Sequence, residues 1–236
     1  MTPTRDLPVT ICHVLREDPQ LIEAIPMPDR DRAAEECIAA TAWIPTGPWS
    51  GPKTDITRDG IGLLVLHGLL IRHLRVGGRF SSELLGERDL LRPWQGEGPQ
   101  TLPQRSDWRV LEPTRVAVLD DRAARRLANY PELTGQLVAR AVERSRSLAV
   151  NMAIVQQSRT HIRVHLMLWH LADRWGYVSP EGTILPLRLT HDVLADLVAA
   201  RRPTVSSALA FLARSGVVRP TGKGWLLLGR PPPSAR

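Results

Sequence analysis

Residues 186–229 read PLRLTHDVLADLVAARRPTVSSALAFLARSGVVRPTGKGWLLLG, and the spacing of apolar positions in this stretch decides the fold. Thr190 suits a helix N-cap, because its hydroxyl accepts from an otherwise unpaired backbone N–H. It stands just before the periodic run Val193, Leu194, Leu197, Val198. Ala199-Ala200-Arg201 breaks that period. Pro203 suits the first turn of a second helix, where a missing N–H costs nothing. Val205, Ala208, Leu209 and Leu212 then fall at i, i+3, i+4 and i+7 and give that helix one buried face. Gly216 ends it. Val217-Val218 and Trp225–Leu228 flank Thr221-Gly222-Lys223-Gly224 as a hairpin. Two short helices, a tight turn and a hairpin make a helix-turn-helix with a wing, and the partner this pattern implies is double-stranded DNA.

The charge distribution agrees. The chain of 236 residues has a formal net charge of +7, from 31 basic and 24 acidic side chains. From His161 to Arg236 there are ten basic against four acidic residues, a net of +6, so nearly all the excess falls in the last third. Charge concentrated on one module is the footprint of a polyanion binder. The length allows two modest domains, and 43% hydrophobic with 23% charged residues is an ordinary globular composition. Cys12 and Cys37 are the only cysteines, which excludes a disulfide framework and a four-cysteine zinc or iron–sulfur site within one chain. Met1 leads into a polar, proline-bearing start, not a charged and then apolar signal segment. The longest apolar run, Ile61–Ile71, is too short to span a bilayer. No membrane association and a cytoplasmic location are therefore expected.

Outward from the winged helix the texture changes twice. Asp18–Ile25 and Arg32–Ala40 are expected short helices. From Trp43 to about Asp120, Gly and Pro punctuate short apolar runs at Ile44-Pro45, Gly60–Leu66, Leu69–Val76, Phe80–Leu85, Asp89–Leu91, Trp108–Leu111 and Arg115–Leu119. Such runs suggest an antiparallel sandwich or barrel, with Arg75–Phe80 as one hairpin. Asp120-Asp121 stands at the entry to a helix, where acidic groups meet its positive end. Pro131 opens a long helix. Thr134, Val138, Ala141, Ser145, Leu148, Met152, Val155, Arg159 and Ile162 alternate steps of four and three, a heptad seam that predicts a homodimer. Residues 176–187 read as a link to the helix-turn-helix.

In this order of parts the chain resembles the CRP/FNR family of transcription regulators. The resemblance is carried by LMLWHLADRWG at 166–176, LRLTHDVLADLV at 187–198 and RPTVSSAL at 202–209, with a weaker echo in LLGERDLLRPW at 84–94. It implies an α+β fold: an N-terminal antiparallel β-barrel of jelly-roll, cyclic-nucleotide-binding-like form, a long dimerisation helix and a C-terminal winged helix. The corresponding boundaries are 1–130, 131–159 and 160–230, with a tail at 231–236. It also implies a bacterial, cytoplasmic homodimer that binds near-palindromic DNA, contacts RNA polymerase and carries no catalytic activity. Family members that bind cyclic nucleotides use a Gly-Glu-Leu core followed by Arg-Ser or Arg-Thr. Here QGEGPQTLPQRSD at 95–107 retains only Gly96-Glu97 and Arg105-Ser106, so a cyclic nucleotide is implied only through a degenerate cassette.

Family members also read bases with an Arg, Glu, Arg set on the second helix. Only the first is retained, as Arg202; Pro203 and Ser207 replace the others. Arg202 takes either guanine O6 and N7 or a phosphate. Thr204 and the first-turn N–H groups suit a phosphate, Ser206 and Ser207 adaptable base contacts, and Arg201 and Lys223 the DNA backbone. His161 and His165 have metal spacing but no local carboxylate or cysteine partner, and His67 with His73, on neighbouring expected strands, are a weak basis for haem. No Gly-x-Ser-x-Gly, phosphate loop or His-Glu-x-x-His occurs. The alternative is a small-molecule or cyclic-nucleotide receptor that signals through a protein partner.

Overall fold

The computed structural model describes residues 10–51, 60–94 and 101–232. It divides into two compact units, Met1–Arg79 with Glu83–Arg144, and Phe80–Ser82 with Ser145–Arg236. The elements preceding the long helix run β1 (Thr10–His13), α1 (Val14–Glu17), α2 (Pro19–Glu23), a 3-10 turn (Met27–Asp29), α3 (Arg30–Glu36), β2 (Ile38–Ile44) and β3 (Gly47–Trp49). They continue through β4 (Gly62–Val76), β5 (Arg79–Gly86), β6 (Leu90–Leu91), β7 (Gln104–Leu119) and α4 (Asp121–Leu127). Helix α5 (Pro131–Val155) follows.

The strands form one antiparallel sheet in the order β1-β2-β7-β4-β5, with β3 paired to β7 and β6 to β4. Strands β4 and β7 are long because runs that read as separate in the sequence are continuous: 60–66 with 69–76, and 108–111 with 115–119. Gly68 and Pro113-Thr114 interrupt those runs, and they face each other. Gly68 has φ +106°, and a Cβ there would lie 2.6 Å from the Thr114 Cα. The β4–β7 register shifts around His67 and Leu69, so the interruption is a bulge that bends two paired strands. Gly77 and Gly78, both at positive φ, close the expected β4–β5 hairpin.

Alternation along these strands feeds two cores. Leu63, Val65, Val110 and Val116 pack with Ile44, Leu70, Leu85, Leu91 and Trp108 on one side. Leu64, Ala117 and Leu119 pack on the other against Leu15, Leu21, Ile25 and Ala33 from the helical segments, and against Leu127, Tyr130 and Leu133. A strand covered on both faces reads as a continuous apolar run. One expected helix is shorter than predicted: residues 38–40 belong to β2, where Ala39 pairs with Cys12 and Ala40 with Ile11. That pairing outweighs the helical preference of alanine.

The second unit contains α6 (Thr160–Trp175), β8 (Tyr177–Ser179), β9 (Gly182–Leu185), α7 (His191–Leu197), α8 (Arg202–Arg214), β10 (Val218–Thr221) and β11 (Gly224–Leu227). The stretch expected to be a plain link is instead the hairpin β8–β9, which adds to the wing in a sheet ordered β10-β11-β9-β8. Gly224 permits this join, since a Cβ there would stand 2.1 Å from the Leu185 carbonyl oxygen. Val164, Leu168, Leu185, Leu194, Val205, Leu212 and Leu227 are buried at its centre. The heptad seam ends early, because α5 stops at Val155 and Arg159 becomes the N-cap of α6. Among the described residues, no helix is long and apolar enough to cross a membrane.

Candidate nucleic-acid interface

Helix α7 begins where the sequence predicts. The Thr190 side chain accepts from the Val193 N–H at 3.2 Å. The helix ends in a two-bond C-terminal motif, with the Ala200 N–H donating to the Ala195 carbonyl at 2.9 Å and the Ala199 N–H to Asp196 at 3.3 Å. That motif needs a left-handed residue, and Ala199 supplies it at φ +48° in place of the usual glycine. Arg163 on α6 secures the turn. Its Nη1 donates to the carbonyls of Val198 at 2.9 Å and Ala199 at 3.2 Å, and Nη2 donates to Thr160 Oγ1 at 3.1 Å.

The turn aims α8 outward from its first residue. Val205, Ala208, Leu209 and Leu212 are buried, as their spacing predicts. Arg201, Arg202, Pro203, Thr204 and Ser207 are exposed, and Ser206 is half-buried. Arg201 is the N-cap residue and makes no side-chain cap, which leaves the positive end of the helix open to an anion. Ser207 Oγ donates back to the Pro203 carbonyl at 3.1 Å. At the far end the Val217 N–H reaches the Leu212 carbonyl at 3.2 Å and Gly216 takes φ +69°. Lys223 is exposed in the two-residue turn between β10 and β11.

Two residues that the sequence reading passed over meet this face. His191 Nδ1 lies 2.8 Å from Ser206 Oγ, and Asp192 Oδ1 lies 3.4 Å from Arg202 Nε. Both belong to the first turn of α7. Their position immediately after the Thr190 cap is the signal that points to them, since that turn packs beside the start of α8 in a helix-turn-helix.

The other singled-out residues lie apart. Gly96 and Glu97 fall outside the described residues. Arg105 and Ser106 stand exposed at the start of β7. Arg105 Nε donates to Asp107 Oδ1 at 3.1 Å, and Arg75 Nε to Asp107 Oδ2 at 3.0 Å. The Arg75 hydrogen bond, with the nearby Arg105 charge, holds the Asp107 carboxyl below its ordinary value. His67 and His73 lie on one strand, β4, not on neighbouring strands, and His67 Nδ1 faces Glu87 at 3.0 Å. His165 is buried and accepts from the Trp169 indole N–H at 3.1 Å; burial pushes its pKa down. Among the described residues no cluster of three or more His, Cys, Asp or Glu side chains is placed to hold a metal. Cys12 and Cys37 are free and buried; burial raises both thiols, that of Cys37 to about 11.

The first unit holds buried charge on residues outside the heptad seam. Arg140 on α5 forks onto Asp18 at 2.5 and 2.9 Å. One turn later Arg144 forks onto Glu83 at 2.6 and 2.9 Å and donates to the Leu90 carbonyl at 2.9 Å. Arg72 Nη2 also reaches Glu83, at 2.8 Å. Burial works against the charge on Arg144, but the Glu83 carboxylate outweighs it and holds the guanidinium above its ordinary value.

Comparison with known proteins agrees with this geometry. A family model described as the Crp-like helix-turn-helix domain matches residues 162–231. The chain is 34% identical over 151 residues to the CRP-like cAMP-activated global transcriptional regulator of Mycobacterium tuberculosis; the match covers 62% of this chain and 62% of that protein. Among solved structures, a CooA variant from Carboxydothermus hydrogenoformans matches 94% of this chain and 93% of its own, with TM-score 0.63 and 17% identity. A cyclic nucleotide-binding domain containing protein from Listeria monocytogenes matches 89% and 96%, with TM-score 0.63 and 14% identity. These two likenesses establish the fold. Residues 162–231 thus form a Crp-like helix-turn-helix domain, and the fold along nearly the whole described length is that of these solved structures.

Proposed function

We propose that this protein is a homodimeric, cytoplasmic transcription regulator that binds near-palindromic duplex DNA with α8 in the major groove. The observation that carries the reading is the start of α8: an uncapped helix end, beside exposed Arg201, Arg202 and Thr204, on a scaffold secured by Arg163. In this reading Arg202 meets guanine, Arg201, Thr204 and Lys223 meet phosphates, Pro203 shapes the first turn, and Ser206 and Ser207 make the adaptable contacts. A module of this kind chooses a sequence and catalyses nothing.

Dimerisation has its own support. Val138, Val142 and Met152 on α5 are 58%, 48% and 61% exposed and share one side of the helix, an apolar surface that a second α5 would cover. Two recognition helices would then stand about 34 Å apart, one turn of DNA. The M. tuberculosis relative is cAMP-activated by name, and a cyclic nucleotide in the β-rich unit, with Arg105 and Ser106 as contacts, is the corresponding regulatory reading here. A ligand acts by favouring one placement of the two α8 helices. RNA polymerase is the expected downstream partner.

Selection of bound sites from a random duplex pool, with and without cyclic AMP and cyclic GMP, tests all of this together. The expected result is one near-palindromic motif, sharpened by an active nucleotide. A motif unchanged by both nucleotides would remove the ligand part, and recovery of no motif at all would contradict the function.

A further inference from the structure

Arg202 does not stand alone on the surface of α8. Its Nε lies 3.4 Å from Asp192 Oδ1 on α7, with both side chains about two-thirds exposed, 66% and 67%. An isolated ion pair with this exposure contributes little to stability. Its position is what matters. An acidic side chain beside the residue that faces DNA repels every phosphate that approaches it, so it weakens sequence-independent binding.

We propose that Asp192 is a specificity-determining positioning residue, which holds the Arg202 guanidinium by its Nε edge so that the two terminal nitrogens form the fork that reads guanine. The inference rests on the reading of Arg202 as a base contact. The guanidinium is planar and has five N–H donors. Engaging Nε leaves Nη1 and Nη2 free, and these are the donors that match guanine O6 and N7. Arg has many rotamers to lose, so prior restraint lowers the cost of fixing it on a base. The same turn of α7 also fixes a second group on the reading helix, since His191 Nδ1 stands 2.8 Å from Ser206 Oγ. Helix α7 thus orders two side chains of α8 before DNA arrives.

The two consequences have opposite signs, which separates this role from a structural one. In Asp192→Asn the carboxylate charge is gone while size is kept. Binding to random duplex should tighten about 2- to 5-fold, and discrimination at the guanine read by Arg202 should fall about 3- to 5-fold. The experiment measures full-length wild type, Asp192→Asn, Arg202→Ala and the double variant on a selected site, on that site with each base changed in turn, and on random duplex. Thermal melting checks that each variant folds. Support requires that Asp192→Asn and Arg202→Ala relax the same base pair and that the double variant loses no more there than Arg202→Ala alone. If Arg202→Ala relaxes one base pair while Asp192→Asn leaves it as selective as wild type, the inference is overturned and the base-contact reading stands. If Arg202→Ala weakens every sequence equally, the base-contact reading fails and the inference fails with it.

Discussion

At the scale of single residues, the helix-turn-helix is held by a few backbone bonds whose partners can be named. Ala199 is the one that carries strain. It sits at φ +48°, where a Cβ is crowded by the following carbonyl at about 1–2 kcal/mol, and the Arg163 hydrogen bonds help to keep it there. Ala199→Gly should therefore stabilise the full chain by about 0.5–1 kcal/mol, less the entropy that glycine loses on folding. Thermal or urea unfolding checks this, and a loss of stability would show that the turn carries no strain at Ala199. The sequence displays the Thr190 cap and the Gly216 stop openly, because side-chain type dictates both. It hides Arg163, which lies 35 and 36 residues from the carbonyls it binds. No local pattern announces a contact of that range.

At the scale of elements, legibility followed periodicity. Helix α8 and the β10–β11 wing were readable because one buried face repeats at helical spacing and a Gly-rich turn separates two apolar runs. The long strands β4 and β7 were read as fragments, since Gly68 and Pro113 look like ends until the bulge pairs them. The hairpin β8–β9 reads as a link because its strands are only three and four residues long; its partner β11 supplies the missing reason to be a strand. Helix α5 shows both outcomes. Of its exposed apolar side chains, Val138 and Met152 stand in the seam, whereas Arg140 and Arg144, outside the seam, carry no sequence signal of their burial. Their partners, Asp18 and Glu83, lie 122 and 61 residues away. Removing one partner of such a pair leaves a buried charge unmatched. Asp18 is 3% exposed, so Arg140→Met should cost about 3–5 kcal/mol, and Arg140→Met with Asp18→Leu should recover most of it. A urea series on the full chain measures both. A loss below about 1 kcal/mol in the single variant would mean that the pair is solvated in solution.

At the scale of the whole molecule, the Crp-like helix-turn-helix domain was legible in the C-terminal third, where motif, charge and periodicity agree. The β-rich unit was legible only as a class, since alternating strands recur in many folds and the cassette segment at 95–100 lies outside the described residues. Selection of a DNA sequence is tested most directly by titrating the protein against its selected site and against random duplex of equal length, at two salt concentrations. The selected site should bind at least about 1,000-fold more tightly at physiological salt, and raising the salt should weaken binding to both duplexes. Equal affinity for the two duplexes at every salt concentration would contradict sequence selection.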